Sequence, residues 1–123
     1  MEKRIRVGVN GFGRIGRYFS RLALANPKIE LVAINDLAPI STLVHLLKYD
    51  SVHGRMDDEF EINGNELIFN KTEKITFVQH KNPEEIPWGA LGVDVVIEST
   101  GLFLTAEKAE AHLKAGAKRV ILS

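Results

Sequence analysis

Three glycines follow an apolar run and open a stretch with helical periodicity, in the order Gly11-x-Gly13-x-x-Gly16. Residues 5–10 predict a buried strand, and residues 14–26 carry apolar side chains at the spacing of one helix face. In such a unit Gly11 permits a tight turn, and Gly13 lets a phosphate approach the backbone. Gly16 lets the helix pack closely on the strand. The spacing therefore predicts a loop that binds the pyrophosphate of a dinucleotide.

The helix after this loop gives a second reason to expect an anion. The N–H groups of its first turn, including those of Arg14 and Ile15, have no partner within the helix and point toward the phosphates. A glycine-rich turn that only connects a strand to a helix is the alternative. The order of strand, loop and helix favours nucleotide binding, because the phosphate-binding loop needs both neighbours.

Asp36 lies at the end of the next predicted strand, residues 29–35, and twenty residues after Gly16. A carboxylate at this place accepts hydrogen bonds from both hydroxyls of a ribose. It also repels a 2′-phosphate, so the sequence favours NAD over NADP. A solvated turn aspartate that caps the following helix is the alternative interpretation.

Three small polar residues, Ser99, Thr100 and Gly101, follow the apolar run at residues 93–98. In a doubly wound sheet such a strand lies beside the first strand, where the strand order reverses and ligands bind. We therefore expect these residues to line the cofactor groove, with an ordinary polar turn as the alternative.

The composition excludes several classes of site. The 123 residues include no cysteine, so they hold no disulfide, thiolate metal site or thiol nucleophile. No metal-ligand spacing relates the four histidines, which are His45, His53, His80 and His112. We therefore predict no metal site and assign no catalytic role to these histidines. Trp88 is expected to anchor packing, and Glu84 and Glu85 are expected at a helix start, so we assign no catalytic role to them either.

Charge and hydropathy describe an ordinary globular domain. Lys plus Arg and Asp plus Glu balance at 16 each, which argues against a nucleic-acid partner. Residues 1–5 lack the apolar segment of a signal peptide, and no apolar run is long enough to cross a membrane. A cytoplasmic location without a membrane partner is the expectation.

Strands and helices alternate along the predicted chain, which indicates a mainly parallel sheet with helices on its faces. We expect a Rossmann-type, doubly wound α/β fold with about five strands in this sheet. Residues 59–70 alternate around Asn63, Gly64 and Asn65, which predicts a small hairpin insert outside the parallel order. The other predicted strands are residues 74–79 and 119–123, and the other helices are residues 41–48 and a helix capped by Thr105 that ends at Gly116.

Several separated motifs, in order, resemble the N-terminal part of glyceraldehyde-3-phosphate dehydrogenases. They are residues 9–17 (VNGFGRIGR), 33–36 (AIND), 49–54 (YDSVHG), and the run from 88–89 (WG) through 98–101 (ESTG) to 116–121 (GAKRVI). The resemblance covers nearly the whole chain. It implies an NAD-dependent glycolytic enzyme that oxidises and phosphorylates D-glyceraldehyde 3-phosphate to 1,3-bisphosphoglycerate, and a homotetramer.

Carried over by position, the resemblance also implies roles for single residues. Arg14 and Ile15 would contact the pyrophosphate, and Asp36 the adenosine ribose. Lys81 would lie near the adenosine half. The residues that would border the rest of the cofactor groove are Thr100, Gly101, Phe103 and Ser123.

Members of this family are much longer than 123 residues. Their cysteine nucleophile and its histidine partner lie beyond the position that matches Ser123, as do a further strand and a C-terminal helix of the nucleotide domain. A thiolate is needed there because it both attacks and leaves well. We therefore expect residues 1–123 to be a truncated NAD-binding domain without the catalytic domain. Such a fragment would be inactive alone, and its open sheet edge and uncovered apolar patch would favour self-association.

Two other functions share these motifs. One is a stand-alone or engineered nucleotide-binding module without chemistry. The other is a fragment of an erythrose-4-phosphate dehydrogenase, although Asp36 fits the glycolytic enzyme better, since the sister enzyme carries glutamate at that place.

Overall fold

Strands and helices alternate in the structure as the sequence predicts. A computed structural model describes residues 4–49, 60–69, 73–100 and 106–122. In chain order the elements of these ranges are β1 (Ile5–Asn10), α1 (Arg14–Ala25), β2 (Ile29–Asn35), α2 (Ile40–Tyr49), β3 (Phe60–Asn63), β4 (Glu66–Phe69), β5 (Glu73–Val78), a 3₁₀ helix (Pro83–Glu85), α3 (Trp88–Leu91), β6 (Val95–Glu98), α4 (Ala106–Lys114) and β7 (Arg119–Leu122).

The strands of the described ranges form one sheet with the order β3-β4-β5-β2-β1-β6-β7. Five of them, from β5 to β7 in this order, pair in parallel, which confirms the predicted doubly wound α/β fold. The predicted hairpin forms, and β4 pairs antiparallel with β5, so the hairpin extends the edge of the same sheet. From β1 the chain first builds outward through β2, then crosses back to place β6 on the other side of β1. The strand order therefore reverses between β1 and β6.

Two apolar clusters cover the two faces of the sheet. A register shift in the pairing of β1 with β2 skips Val32, since Val7 pairs with Leu31 and Gly8 with Ala33. As a result Val32 and Ala33 belong to one cluster, while Leu31 and Ile34 belong to the other. Helices α1 and α2 pack on the face with Leu31 and Ile34, and Trp88 of α3 packs on the face with Val32 and Ala33. Each fully buried aliphatic side chain of this kind stabilises the fold by about 1.5–3 kcal/mol.

Helix α1 lies very close to the sheet. Its buried residues all have small side chains, namely Gly16, Ser20 and Ala23. The larger residues Ile15, Tyr18 and Leu22 share the apolar face that the sequence identifies, but they are 50%, 54% and 49% exposed. Phe19 and Leu24 of the same helix pack, partly buried, against the core. Periodicity locates the apolar face, whereas the closeness of the helix to the sheet decides which residues are fully buried there.

Helix α4 ends in the left-handed turn predicted at Gly116, whose φ is +111°. The N–H of Gly116 donates to the carbonyl of Leu113, and the N–H of Ala117 donates to the carbonyl of His112, as in a Schellman motif. This closure fixes the last turn of α4, where His112 lies. The predicted cap, Thr105, is outside the described residues, as is His53. No helix in the described ranges is both long enough and apolar enough to span a membrane.

Candidate functional site

The carboxyl ends of β1, β2 and β6 meet around a groove with a volume of ≈ 640 Å³. Ligand sites in proteins commonly enclose about 300–1,000 Å³. This groove also lies where the strand order reverses, the place at which doubly wound sheets bind ligands. Its lining residues are Asn10, Gly11, Phe12, Gly13, Asn35, Asp36, Leu37, His80, Lys81, Asn82, Pro83, Ser99 and Thr100.

The glycine loop forms one side of this groove and leaves it open for a ligand. Gly11 has a φ of +92°, and a β-carbon there would lie 2.8 Å from Cγ2 of Thr100, so the turn requires glycine. The side chain of Phe12 is buried in the core and anchors the loop. Gly13 has extended backbone, and apart from Gly13 and its chain neighbours no heavy atom of the described residues lies within 4 Å of the position of a β-carbon. The space beside Gly13 is therefore free for a group that must approach the backbone.

Gly16 brings the start of α1 against the loop. A β-carbon at residue 16 would overlap the carbonyl oxygen of Gly11 and would lie 2.9 Å from Oγ of Ser99. The sequence predicts that Gly16 permits close packing between helix and strand. The packing partners are more specific than that expectation, because they are the loop carbonyl and a side chain that follows β6.

The first turn of α1 has backbone donors without a side-chain cap. Gly13 is the N-cap residue and provides no side-chain hydrogen bond, and the turn contains no acidic residue. The first bond within the helix joins the N–H of Arg17 to the carbonyl of Gly13 at 2.9 Å. The N–H groups of Arg14 and Ile15 therefore have no partner in the helix and suit an anion beside Gly13. The side chains of Arg14 and Ile15 are exposed and do not line the groove.

Asp36 links the second strand to the glycine loop. One carboxylate oxygen accepts the N–H of Phe12 at 2.8 Å, and the other accepts the N–H of Ala38 at 3.0 Å. A carboxylate has about four lone-pair sites, so about two remain for a ligand. The bond to Ala38 belongs to the turn before α2, in line with part of the alternative interpretation. The bond to Phe12 places the carboxylate at the groove as well.

Ser99 and Thr100 form the wall opposite Asp36, at the end of β6. The Ser99 hydroxyl lies 2.7 Å from the carbonyl oxygen of Gly11 and 3.0 Å from that of Asn10. Because a hydroxyl has a single proton, these two carbonyls share it, and the hydroxyl mainly holds the loop in place. Thr100 packs directly against Gly11. Both residues line the groove, as the sequence predicts.

Asn35 positions the wall that carries Lys81. Its amide nitrogen donates to the carbonyl of His80 at 2.9 Å, and its amide oxygen accepts the N–H of His80 at 2.8 Å. This pair of bonds fixes the backbone immediately before Lys81. The exposed Lys81 side chain then places a positive charge at the groove.

A buried carboxylate, Glu98, ends β6 beneath these walls and is 1% exposed. Burial alone raises the pKa of its carboxyl group. Hydrogen bonds from His112, Asn10 and Thr100 to the ionised form outweigh burial and lower the pKa from 4.5 to about 2. Glu98 is therefore a buried anion at neutral pH.

The groove thus brings together six of the predicted site residues: Gly11, Gly13, Asp36, Lys81, Ser99 and Thr100. Three more predictions, Gly101, Phe103 and Ser123, lie outside the described residues. Sequence reasoning missed Asn10, Asn35 and Leu37, although a polar residue that ends an apolar strand, as Asn10 and Asn35 do, is a recognisable signal. Among the described residues no cluster suited to a metal ion occurs.

A family model for the glyceraldehyde 3-phosphate dehydrogenase NAD binding domain matches residues 5–106. The chain belongs to this family. The match covers the glycine loop, Asp36, Lys81 and Thr100, and it confirms the predicted resemblance and NAD as the cofactor.

Similar proteins in the family are named glyceraldehyde-3-phosphate dehydrogenase. Glyceraldehyde-3-phosphate dehydrogenase of Geobacillus stearothermophilus is 57% identical over 97% of this chain and 35% of its own. The Bacillus subtilis glyceraldehyde-3-phosphate dehydrogenase 1 is 50% identical with the same coverage. The cytosolic enzyme of Pisum sativum is 48% identical over 100% of this chain and 37% of its own. The chain therefore spans about a third of the length of these relatives.

Gly13→Ala and Gly16→Ala form a matched pair that separates ligand approach from folding. We expect Gly13→Ala to weaken NAD binding about tenfold or more, because its methyl group enters the space beside the loop. Its free energy of unfolding should change by less than about 1 kcal/mol, since the backbone there is extended and the space is open. Gly16→Ala should cost about 1–3 kcal/mol or more of folding stability.

Calorimetric titration with NAD and urea unfolding of both variants measure the two effects. Wild-type affinity in the Gly13→Ala variant would show that the ligand does not approach this part of the loop.

The free energy of unfolding should depend on the ionisation of Glu98. The native pKa of about 2 lies below the ordinary value of 4.5 for a glutamate, so Glu98 contributes its full stabilisation above pH 4.5 and loses it as the pH falls toward 2. The contribution is about 3 kcal/mol. Urea unfolding of wild type and of Glu98→Gln across this range measures it, with Glu61→Gln on the exposed face of β3 as control. The Glu98→Gln variant should lose this part of the pH dependence. If its free energy of unfolding changed with pH as steeply as that of the wild type, Glu98 would not be the group responsible.

Proposed function

We propose that residues 1–123 are the NAD-binding part of a phosphorylating glyceraldehyde-3-phosphate dehydrogenase. The observation that carries this proposal is the meeting of the open Gly13 backbone and the Asp36 carboxylate in one groove. A dinucleotide needs both features, since its pyrophosphate must approach backbone N–H groups while a ribose meets an acceptor.

The pyrophosphate would lie against Gly13 and the N–H groups of Arg14 and Ile15. This position suits the pyrophosphate because the first turn of α1 has neither an acidic residue nor a side-chain cap. The positive end of the helix dipole adds to the attraction.

The adenosine ribose would donate hydrogen bonds to Asp36, which has acceptor sites left beyond Phe12 and Ala38. Leu37, which is 62% exposed and lines the groove, offers an apolar surface beside that ribose. Lys81 lines the same groove, and its positive charge would lie near the adenosine half. The proposed site continues through Ser99, Thr100, Gly101, Phe103 and Ser123.

Bound NAD would supply the hydride acceptor for oxidation of an aldehyde. The residues of this chain would hold and orient it, and they include no cysteine for a covalent step. We propose that the nucleophile and the substrate-binding residues belong to a catalytic domain outside these 123 residues, so that the chain alone binds cofactor but is inactive. For the whole protein the substrates would be D-glyceraldehyde 3-phosphate, inorganic phosphate and NAD, as the relatives' names suggest.

The whole protein is further proposed to act in glycolysis in the cytoplasm, as a homotetramer that binds neither nucleic acid nor membranes. A relative named as cytosolic supports the location, and a formal net charge of zero supports the absence of a nucleic-acid partner. The half-exposed stripe of Ile15, Tyr18 and Leu22, with Ile121 on the edge strand β7, would promote self-association of the isolated chain.

Calorimetric titrations with NAD, NADP and ADP-ribose test the cofactor assignment through Asp36→Ala and Asp36→Asn. Loss of one charge-assisted hydrogen bond costs about 1.5–3 kcal/mol, so NAD affinity should fall about tenfold or more in both variants. Discrimination against NADP should relax in both, because the charge that repels a 2′-phosphate is gone. The Asn variant retains an oxygen acceptor for one of the two backbone N–H groups, which separates the loss of charge from loosening of the loop.

Glu61→Gln on β3 serves as the control, since it removes a carboxylate that does not line the groove. Unchanged NAD-to-NADP selectivity in the Asp36 variants would show that Asp36 does not read the ribose. No binding of NAD by the wild type at millimolar concentration would contradict the proposed function of the isolated chain.

A further inference from the structure

A buried carboxylate connects the walls of the groove from below. Glu98 is 1% exposed and is not among the residues that line the groove. From donors within the described residues, its two oxygens accept four hydrogen bonds: from Asn10 Nδ2 at 2.9 Å, from His112 Nε2 at 2.7 Å, and from Thr100 N and Oγ1 at 3.0 Å and 2.8 Å. These four donors match the roughly four lone-pair sites of an ionised carboxylate.

The direction of these bonds is fixed from the far side by Trp88. Its indole Nε1–H lies 2.9 Å from Nδ1 of His112, and both side chains are fully buried. Because an indole nitrogen can only donate, Nδ1 must accept, and the ring proton of neutral His112 is on Nε2. His112 therefore donates to Glu98, and the carboxylate remains the acceptor of the whole arrangement.

Two series of contacts lead from Glu98 to the walls of the groove. One of them runs to the wall that carries Lys81. Asn10 donates to Glu98, so its amide oxygen faces Asn35 and accepts Nδ2 of Asn35 at 2.8 Å. The same Asn35 amide makes the two bonds to the backbone of His80. The orientation of each amide group is thus determined by the next, and the series begins at the carboxylate.

The other series of contacts runs from Glu98 to the glycine loop. Thr100 is held by Glu98 through both its N–H and its hydroxyl. Thr100 in turn packs so closely on Gly11 that a β-carbon at Gly11 would lie 2.9 Å from the Thr100 nitrogen. A displacement of Thr100 would therefore displace the glycine loop as well.

We propose that Glu98 is a positioning residue for the cofactor, whose carboxylate sets Thr100 and the glycine loop on one wall and, through Asn10 and Asn35, the backbone before Lys81 on the other. This inference rests on the proposed binding of NAD in the groove. Glu98 acts through its neighbours and does not touch the cofactor. His112 of α4 and Trp88 of α3 complete the arrangement, and neither residue lines the groove.

Only an acceptor at residue 98 fits this arrangement. A glutamine has nearly the same shape, but its amide group turns an N–H toward existing donors, either Asn10 and His112 or the N–H of Thr100. A buried donor that faces a donor loses its hydrogen bond and its solvation at once. Glu98→Gln should therefore displace at least one wall.

The test compares NAD affinity and backbone spectra of wild type and Glu98→Gln, at a temperature where unfolding curves show both to be folded. NAD should bind about tenfold more weakly to the variant. In ¹H–¹⁵N spectra without ligand, the amide of Thr100 and the side-chain amides of Asn10 and Asn35 should shift. A residue that only stabilises the fold would change the unfolding midpoint and leave the affinity of folded molecules unchanged.

A pair of variants at His112 tests the same inference if Glu98→Gln fails to fold. His112→Leu removes a donor to Glu98 and should weaken NAD binding, whereas His112→Gln can both donate to Glu98 and accept from Trp88, and should restore it. His45→Leu, the same chemical change on the exposed side of α2, is the matched control and should leave affinity unchanged.

Folded Glu98→Gln or His112→Leu protein with wild-type affinity and an unshifted Thr100 amide would overturn the inference. Failure of the wild type to bind NAD would instead overturn the proposed function, and the ligand-free spectra would still report whether Glu98 holds Thr100.

Discussion

Helix α1 begins so close to the glycine loop that residue 16 has no room for a side chain. A β-carbon there would overlap the carbonyl oxygen of Gly11. The fully buried residues of α1 are all small, while larger apolar residues of the same helix are partly buried against the core or half exposed. The contact also brings the free N–H groups of the first turn to the carboxyl end of β1, where the sheet leaves a groove.

Two carboxylates hold this loop in place by accepting backbone N–H groups. Asp36, at the end of β2, accepts a hydrogen bond from the N–H of Phe12. Glu98, at the end of β6, accepts one from the N–H of Thr100, which packs on the loop. The two carboxylates differ in the acceptor sites that remain available to a ligand. Asp36 retains such sites at the groove, whereas the four donors around Glu98 occupy its acceptor sites beneath the groove. One carboxylate is thus suited to recognise a ligand and the other to position the residues that do.

Much of the fold could be predicted from the sequence because local signals agreed with one another. The residues of β1 and β2, the hairpin turn at Gly64 and the helix end at Gly116 all follow from periodicity and from the conformational freedom of glycine. Periodicity identified the apolar face of α1 but not which part of it is buried, since that depends on the distance between helix and sheet. The attachment of the hairpin to the edge at β5 is likewise a tertiary contact without a local signal.

The site was predictable where the type and position of a single residue carry the signal, as at Gly13 and Asp36, which line the groove. The network of Asn10, Asn35, Glu98 and His112 was not, because each of these residues has an ordinary alternative explanation and only their distances reveal a connection. Sequence separations of 25 and 88 residues between bonded partners leave no pattern to read along the chain.

Above all, we propose that the groove at Gly13, Asp36 and Thr100 binds NAD. Titration of the ¹⁵N-labelled chain with NAD measures this directly, residue by residue. Binding in the groove predicts that the amides of residues 11–16, of Asp36 and Ala38, and of Thr100 shift together with one dissociation constant, while those of the β3–β4 hairpin do not. Shifts confined to other surfaces, or no shifts at millimolar NAD, would contradict the claim.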